Sequence, residues 1–419
     1  MRILVIGSGG REHALVRALK ASPSSDFVAC APGSDAIALD VPCVDIFAHT
    51  DIVRYCQSEK IDLVVVGPEQ PLVDGLADRL HAEKIAVFGP SAAGAQLEAS
   101  KDFTKKLCDQ FGIPTARYAT FDALKPALAY VRKHGAPIVI KADGLAAGKG
   151  VTVAMELAEA EKALTECFDG VFGNSGQRVV VEEFMEGDEI SFFALCDGTT
   201  ATAFADAQDH KRAYDNDKGP NTGGMGTYSP TPFTRNGMDE RIMREIITPT
   251  MEGLKKSLIS YTGVLFAGIM ITAEGPKLIE YNCRFGDPET QAMLARFTGD
   301  FALLLMSCAE GKIAPQHLKF SDEAAVCVVM AASGYPGSYV RNTLIQNLER
   351  AGELPGVSIL HAGTIRAGEQ WLARGGRVLN VVATGGSLRQ TRYHAYEAVD
   401  LIDWPDGFCR RDIGAKALA

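Results

Sequence analysis

MRILVIGSGGREHALVRALK, Met1 to Lys20, opens on a β-branched run from Arg2 to Ile6, breaks at a glycine-rich turn, Gly7 to Gly10, and resumes as a helical pattern to Lys20. The alternation returns downstream, where Asp62 to Val66 precedes a helical pattern from Leu72 to Ala82 and then Ala86 to Phe88. Short apolar strands separated by helices predict an α/β unit with a parallel sheet. The turns GSGG, Gly7 to Gly10, and GPEQP, Gly67 to Pro71, then fall at the strands' carboxyl ends, where open α/β sheets bind ligands. The first turn begins like a dinucleotide fingerprint with Gly7 and Gly9, but Glu12 stands at the third glycine position. It suits either an anion at the helix N-terminus, where free N–H groups favour negative charge, or a tight structural turn. It does not read as a signal peptide, because glycines stand where a small-residue cleavage site would be.

A chain of 419 residues exceeds what one hydrophobic core usually fills, so two to four packed domains are expected. A helix from Gln96 to Phe111 and the linker GIPTA end the first unit, placed at residues 1–103. Helix Asp122 to His134, strand Pro137 to Lys141, a glycine-rich turn, strand Val151 to Ala154, helix Leu157 to Phe168 and strand Val179 to Glu183 predict a small α+β lid at about 122–188. It lies within a middle domain at 104–323. Strands near Ile190 to Leu195 and Thr200 to Phe204 lead to a long polar loop, Asp206 to Pro230, whose length and density of Asp, His, Lys, Asn and Gly mark it as functional. A helical stretch, Met238 to Ile259, strands Val264 to Ile271 and Lys277 to Tyr281, and helices Pro288 to Phe297 and Phe301 to Ala309 follow. The remainder, 324–419, reads as a separate β-rich domain with strands Ala325 to Ala331, Ile359 to His361 and Val378 to Ala383.

Composition narrows the function. Apolar residues make up 47% and charged residues 22%, and no apolar run reaches the roughly 18 residues a membrane span needs. A net charge of −10 without a basic run argues against a nucleic-acid surface. The ten cysteines, Cys30 to Cys409, form no C-x-x-C pair, which suits reduced thiols in the cytoplasm.

Three segments carry chemistry. KADGLAAGKGV, Lys141 to Val151, lacks the Walker spacing, but a glycine-rich hairpin between strands can fold its N–H groups over a polyphosphate. Lys141, ending an apolar strand, needs an anionic partner if buried. VVVEEFMEGDE, Val179 to Glu189, is a strand ending in acids; it reads either as a solvated acidic turn or as a strand end that presents backbone groups to adenine and Glu189 to a ribose. In IEYNCRFGDPETQ, Ile279 to Gln291, Glu280 and Asn282 sit two apart on a strand and share a face, so two hard oxygen ligands suit Mg²⁺. Arg284 follows, where a guanidinium can clamp a phosphate or carboxylate. Asp287 before Pro288 reads either as a ligand or as a helix N-cap.

These segments, with GSGGREHA from Gly7, GPEQPLV from Gly67, QDHKRAYDNDKGPNTGGMGTYSP from Gln208, HAGT from His361 and GGRVLNVVATG from Gly375, resemble the glycinamide ribonucleotide synthetase family over nearly the whole chain. The resemblance implies an N-terminal α/β substrate domain, an ATP-grasp core with a mobile lid and a C-terminal β-rich domain. It implies joining of 5-phosphoribosylamine to glycine through glycyl phosphate, with ATP converted to ADP and phosphate. Lys101, Lys141 and the hairpin residues Gly148, Lys149 and Gly150 would hold ATP phosphates. Glu182, Glu183, Phe184 and Met185 would lie at adenine, Glu189 at ribose, and Glu280 and Asn282 would ligate Mg²⁺ or Mn²⁺. Arg284, Asp209 and Lys211 would be catalytic, and Gly9, Gly10, Glu69, His210, Asn221, Thr222 and Asp287 would contact substrates. The partners implied are small molecules, with no nucleic acid or membrane, and the chain a monomer or weak homodimer.

The strand before Glu280 reads FAGIMIT and lacks the additional carboxylate ligand that many ATP-grasp enzymes carry there. Arg341, Asn342 and Arg374 also depart from the family pattern. Rival readings are an ATP-grasp carboxylase or formyltransferase acting on a ribonucleotide, opposed by NTGGMG and RFGDPE; an oxidoreductase, opposed by Glu12; and a nucleotide sensor, opposed by the presence of Glu280, Asn282 and Arg284 together.

Overall fold

The computed structural model describes residues 1–145, 150–171 and 177–418. The N-terminal unit is the expected parallel sheet, ordered Phe27–Pro32, Arg2–Gly7, Leu63–Val66, Ala86–Phe88. Its strands are near-continuous apolar runs because both faces are covered, and Ile3, Leu4, Val5, Leu63, Val64 and Val65 are all fully buried. The strand Phe27–Pro32 went unread in the sequence.

The lid is a four-stranded antiparallel sheet, ordered Tyr118–Phe121, Val179–Glu183, Ile138–Ala142, Val151–Ala154. Helices Leu124–His134 and Leu157–Phe168 pack on it around a small core of their own that includes Val131, Ile140, Leu164 and Val181.

The largest sheet runs Gly275–Asn282, Thr262–Thr272, Asp188–Asp197, Ala201–Asp209, Gly226–Ser229, Ala324–Ala332, Arg377–Gly385, Val357–His361. One expectation changes here. The stretch from Asp206 to Pro230 is not a structureless loop: it completes one strand, forms a hairpin of Arg212–Tyr214 with Lys218–Asn221, and ends in the strand Gly226–Ser229. At its two ends polar residues bond inward, Tyr228 Oη donating to Gln208 Oε1 at 2.7 Å and Ser229 Oγ to Asp206 O at 2.7 Å, whereas the hairpin residues from Asn216 to Pro220 are exposed. The C-terminal β elements join the middle domain through this sheet: Ala324–Ala332 pairs with Gly226–Ser229 in register Gly226↔Val328 to Ser229↔Ala325. The helix Leu388–Leu401, capped by Ser387, was also unread. No helix among the described residues is long and apolar enough to cross a membrane.

Candidate active site

The expected helix from Gln96 breaks at Ser100, whose extended backbone and hydroxyl, accepting from Phe103 N at 3.1 Å, start a new helix at Lys101. Asp143, at the root of the glycine-rich hairpin, accepts from the backbone N of Lys101 at 2.7 Å and of Asp102 at 3.3 Å. Lys101 Nζ donates to Gly144 O at 3.1 Å, so helix and hairpin root are tied together. Burial and the nearby Lys141 hold the Lys101 ammonium below its ordinary range, against the pull of Glu280. Gly148 and Lys149 lie outside the described residues; Gly150 O accepts from Ala142 N at 2.8 Å.

Lys141 is buried and does have an anionic partner, Glu182, with Nζ 3.0 Å from Oε1. It also donates to Ile279 O at 3.1 Å, next to Glu280. The Glu182 side chain is thus turned into the protein, and Glu183 pairs with Arg117 at 2.6 Å. Phe184 and Met185, half-buried, follow directly after the strand.

Glu280 and Asn282 occupy one face of their strand, opposite Gly268 and Phe266. Burial opposes ionisation of Glu280, but Lys211, Lys141, Lys101 and Arg284 together hold its carboxyl below the usual range. Lys211 Nζ pairs with Glu189 and lies 4.0 Å from Glu280 Oε1. Burial works against the Lys211 charge, yet Glu189, Glu280 and Asp209 keep it above its ordinary range. The carboxylate expected at a ribose is therefore the counter-ion of Lys211. Among the described residues no group of three or more His, Cys, Asp or Glu side chains is placed to hold a metal. The donor set fits a hard cation resting on an ionised Glu280 and the Asn282 carbonyl, with its other positions left to water and substrate oxygens, as suits Mg²⁺.

Arg284 is gripped by two carboxylates, Nε 3.2 Å from Glu69 Oε2 and Nη2 2.9 Å from Glu98 Oε1. Glu98 carries no signal of this role in the sequence. It also accepts from the backbone N of Cys283 at 2.8 Å and from its thiol at 3.2 Å, so buried Cys283 is tied to Glu98 as well as packed in the core.

The first turn is filled by protein. Glu12 Oε2 accepts from Gly9 N at 2.6 Å, and its side chain lies where a Cβ on Gly7 or Gly67 would stand, 2.4 and 2.1 Å away. Those glycines therefore make room for Glu12, the residue that broke the fingerprint. Gly10 packs against Asn380 and Gln291, and Asp287 Oδ2 accepts from Arg11 N at 3.4 Å at the helix start. Asp287 is no N-cap for the helix Glu289–Ala295, which has no side-chain cap; its other oxygen accepts from Gln291 Nε2 at 2.9 Å.

His210 departs from its expected role. Nδ1 lies 3.1 Å from Gly226 O and Nε2 accepts from Gly414 N at 3.2 Å, so both nitrogens are engaged by backbone. Burial, then the charge of Arg410, lowers its pKa to about 4. Thr222 is likewise turned inward, its hydroxyl donating to Lys211 O at 2.9 Å and accepting from Gly224 N at 3.0 Å. Asn221, half-buried, pairs with Arg212 across the hairpin. Asp209 is pushed well above the usual carboxyl range by burial and by Glu289, which itself is raised by burial and bonded to Ser191 Oγ at 2.9 Å. Arg377, unread in the sequence, binds this region together. Its Nη1 donates to Gly223 O at 2.6 Å, Gly224 O at 3.2 Å and Asp287 O at 2.6 Å, and Nη2 lies 3.3 Å from Asp287 Oδ1.

Comparisons with known proteins point to one family. Models of the phosphoribosylglycinamide synthetase N domain, ATP-grasp (A) domain and C domain match residues 1–98, 99–290 and 325–416. A phosphoribosylamine–glycine ligase of Mesorhizobium japonicum is 56% identical over 422 residues, covering 100% of this chain and 99% of the relative. That of Escherichia coli K12 is 47% identical over 425 residues, covering 100% and 99%. The crystal structure of the Thermotoga maritima phosphoribosylamine–glycine ligase superposes with a TM-score of 0.85 at 29% identity, covering 99% of this chain and 100% of that one. A biotin carboxylase domain of Hydrogenobacter thermophilus 2-oxoglutarate carboxylase shares the fold, with a TM-score of 0.74 at 14% identity over 97% and 91% of the two chains. With full-length relatives at this identity, and an α/β unit, ATP-grasp core and C-terminal β elements in the same order, the chain belongs to the phosphoribosylglycinamide synthetase family.

Proposed function

We infer that this chain joins glycine to 5-phosphoribosylamine, consuming ATP and releasing glycinamide ribonucleotide, ADP and phosphate, the second step of de novo purine synthesis. The observation that carries the reading is the convergence of Lys101, Lys141 and Lys211 on the strand bearing Glu280 and Asn282, within a chain whose full-length relatives bear this activity in their names.

A carboxylate is a poor electrophile, so a glycine oxygen first attacks the γ-phosphorus of ATP and ADP leaves. The amine nitrogen of phosphoribosylamine then attacks the glycyl carbonyl carbon, and phosphate leaves with the bonding pair. Lys101, Lys141 and Gly148 to Gly150 line the phosphates, the backbone of Glu182 to Met185 lies at adenine, and Glu189 reaches the ribose once Lys211 turns to the transferring phosphoryl. Mg²⁺ or Mn²⁺ on Glu280 and Asn282 would neutralise phosphoryl charge. Arg284, held in place by Glu69 and Glu98, meets substrate anions at the strand end. Asp209 and Lys211, the latter paired with Glu189 and facing Glu280, complete the catalytic set. The remaining substrate contacts fall to Gly9, Gly10, Glu69, Asn221, Thr222 and Asp287. The protein works in the cytoplasm as a monomer or weak homodimer on small molecules alone; its net charge of −10 disfavours nucleic acid.

The test is coupled ADP release with phosphoribosylamine generated in place, omitting glycine, amine and ATP in turn and replacing glycine by alanine. All three substrates should be required, and alanine should be poor because the NTGGMG turn is packed against Arg377 and Pro288. ADP release indifferent to glycine would refute the reading.

A further inference from the structure

Lys105 is 2% exposed and no part of the proposed mechanism uses it. It projects from the helix that begins at Lys101, and its Nζ donates to Thr115 Oγ1 at 2.7 Å and lies 3.2 Å from Glu182 Oε2. Thr115 Oγ1 in turn donates to Leu278 O at 2.6 Å, on the strand that carries Glu280. Glu182 therefore sits between two ammonium groups, Lys105 on Oε2 and Lys141 on Oε1. The two sides differ. Oε1 is buried and accepts no well-aligned hydrogen bond among the described residues, although Lys141 is 3.0 Å away. Lys141 is beside this carboxylate without being locked to it, and it has three N–H donors to distribute.

One carboxylate shared between two ammonium groups in a dry site cannot neutralise both, and Glu280, the other anion facing Lys141, is itself shared with Lys211 and Lys101. Resting on the reading of this region as an ATP phosphate site, we propose that Lys105 is a positioning residue for ATP: by holding one oxygen of Glu182, it keeps the Lys141 ammonium available to the polyphosphate. Without Lys105, Glu182 would neutralise Lys141 alone and draw it off the phosphates. Through Thr115 and Leu278 the same ammonium also ties the lid strand to the metal-bearing strand. Burial lowers the affinity of Lys105 for its proton, and Glu182 works against that loss.

The experiment compares wild type, Lys105→Met, Glu182→Gln, the double variant and Lys105→Arg. Read out are the dissociation constant of a non-hydrolysable ATP analogue with Mg²⁺, the KM values for ATP and glycine, and kcat. Lys105→Met should weaken analogue binding and raise the ATP KM about tenfold or more, the scale of one charge-assisted hydrogen bond, with glycine KM unchanged. The double variant removes Glu182's pull on Lys141 together with Lys105 and should return ATP binding to within about threefold of wild type. If Lys105→Met does not fold, the double variant and Lys105→Arg carry the test, and both should bind the analogue as wild type does. Unchanged analogue binding in folded Lys105→Met, or a double variant as weak as Lys105→Met, overturns the proposal. A wild-type protein that fails to bind the analogue refutes the ATP-site reading instead.

Discussion

Replacing Arg377 by Met keeps the aliphatic stem and removes the guanidinium that bridges the NTGGMG turn and Asp287. Its Nη1 serves three carbonyls at 2.6, 3.2 and 2.6 Å, more acceptors than it has protons, so the bonds are not independent. Each hydrogen bond to a charged group contributes roughly 1.5–3 kcal/mol, and the side chain is only 20% exposed, so screening is modest. A loss of about 3 kcal/mol of local stability is a fair total, of which each ~1.4 kcal/mol is tenfold in an opening equilibrium. Amide exchange at Thr222 and Met225, whose N–H groups bond to Lys211 O and His210 O, should therefore quicken about a hundredfold, while amides of the N-terminal parallel sheet stay unchanged. Glycine KM should rise with it. Exchange at those two amides within about threefold of wild type would show that the turn holds itself and that Arg377 is incidental.

Glu280→Gln should fold normally by circular dichroism but lose most ADP release, recovering in part at high Mg²⁺, whereas Cys283→Ala should remain active because Glu98 keeps its bond to the backbone N of residue 283. An active Glu280→Gln beside a folded, inactive Cys283→Ala would reverse the assignment of that strand's faces. His210 is neutral when buried, with a folded pKa of about 4 against about 6.5 unfolded, so the unfolded chain binds more protons between those values. Its contribution, about 3 kcal/mol, is intact above pH 6.5 and lost as pH falls towards 4; denaturant melts at stepped pH should show a shallower acid slope in His210→Gln. Gly224→Ala would place a Cβ 2.5 Å from Pro288 Cδ at a φ of +111°, so glycine-dependent turnover should drop with the overall fold retained, and unchanged kinetics would refute the packing argument.

What could be read from the chain depended on how local the signal was. The shared strand face of Glu280 and Asn282 was legible because strand alternation is a two-residue rule that needs no partner. The parallel sheet was legible because its strands are buried on both faces and read as unbroken apolar runs. Arg377 was not, since a single arginine opening an apolar strand looks like an ordinary strand end, and its partner Gly223 lies 154 positions away. Glu98 was hidden in the same way, inside a helical pattern and 186 positions from Arg284. The inward bonds of His210, a substrate contact only by resemblance, were not legible because sequence does not show whether a polar side chain faces substrate or backbone. Glu12 could have been found, as two glycines in separate motifs, Gly7 and Gly67, leave space for one side chain.

The pairing of Gly226–Ser229 with Ala324–Ala332 makes the chain hard to divide. Severed before residue 324, each fragment would carry a raw strand edge, open N–H and C=O groups beside fully buried side chains such as Tyr228, Val326 and Val328. Two separately expressed halves would seek partners through those edges, by mutual complementation where both are present and by aggregation where one is alone. Gene fission at that point therefore demands co-expression, and fusion partners are better tolerated at the chain ends than at this seam.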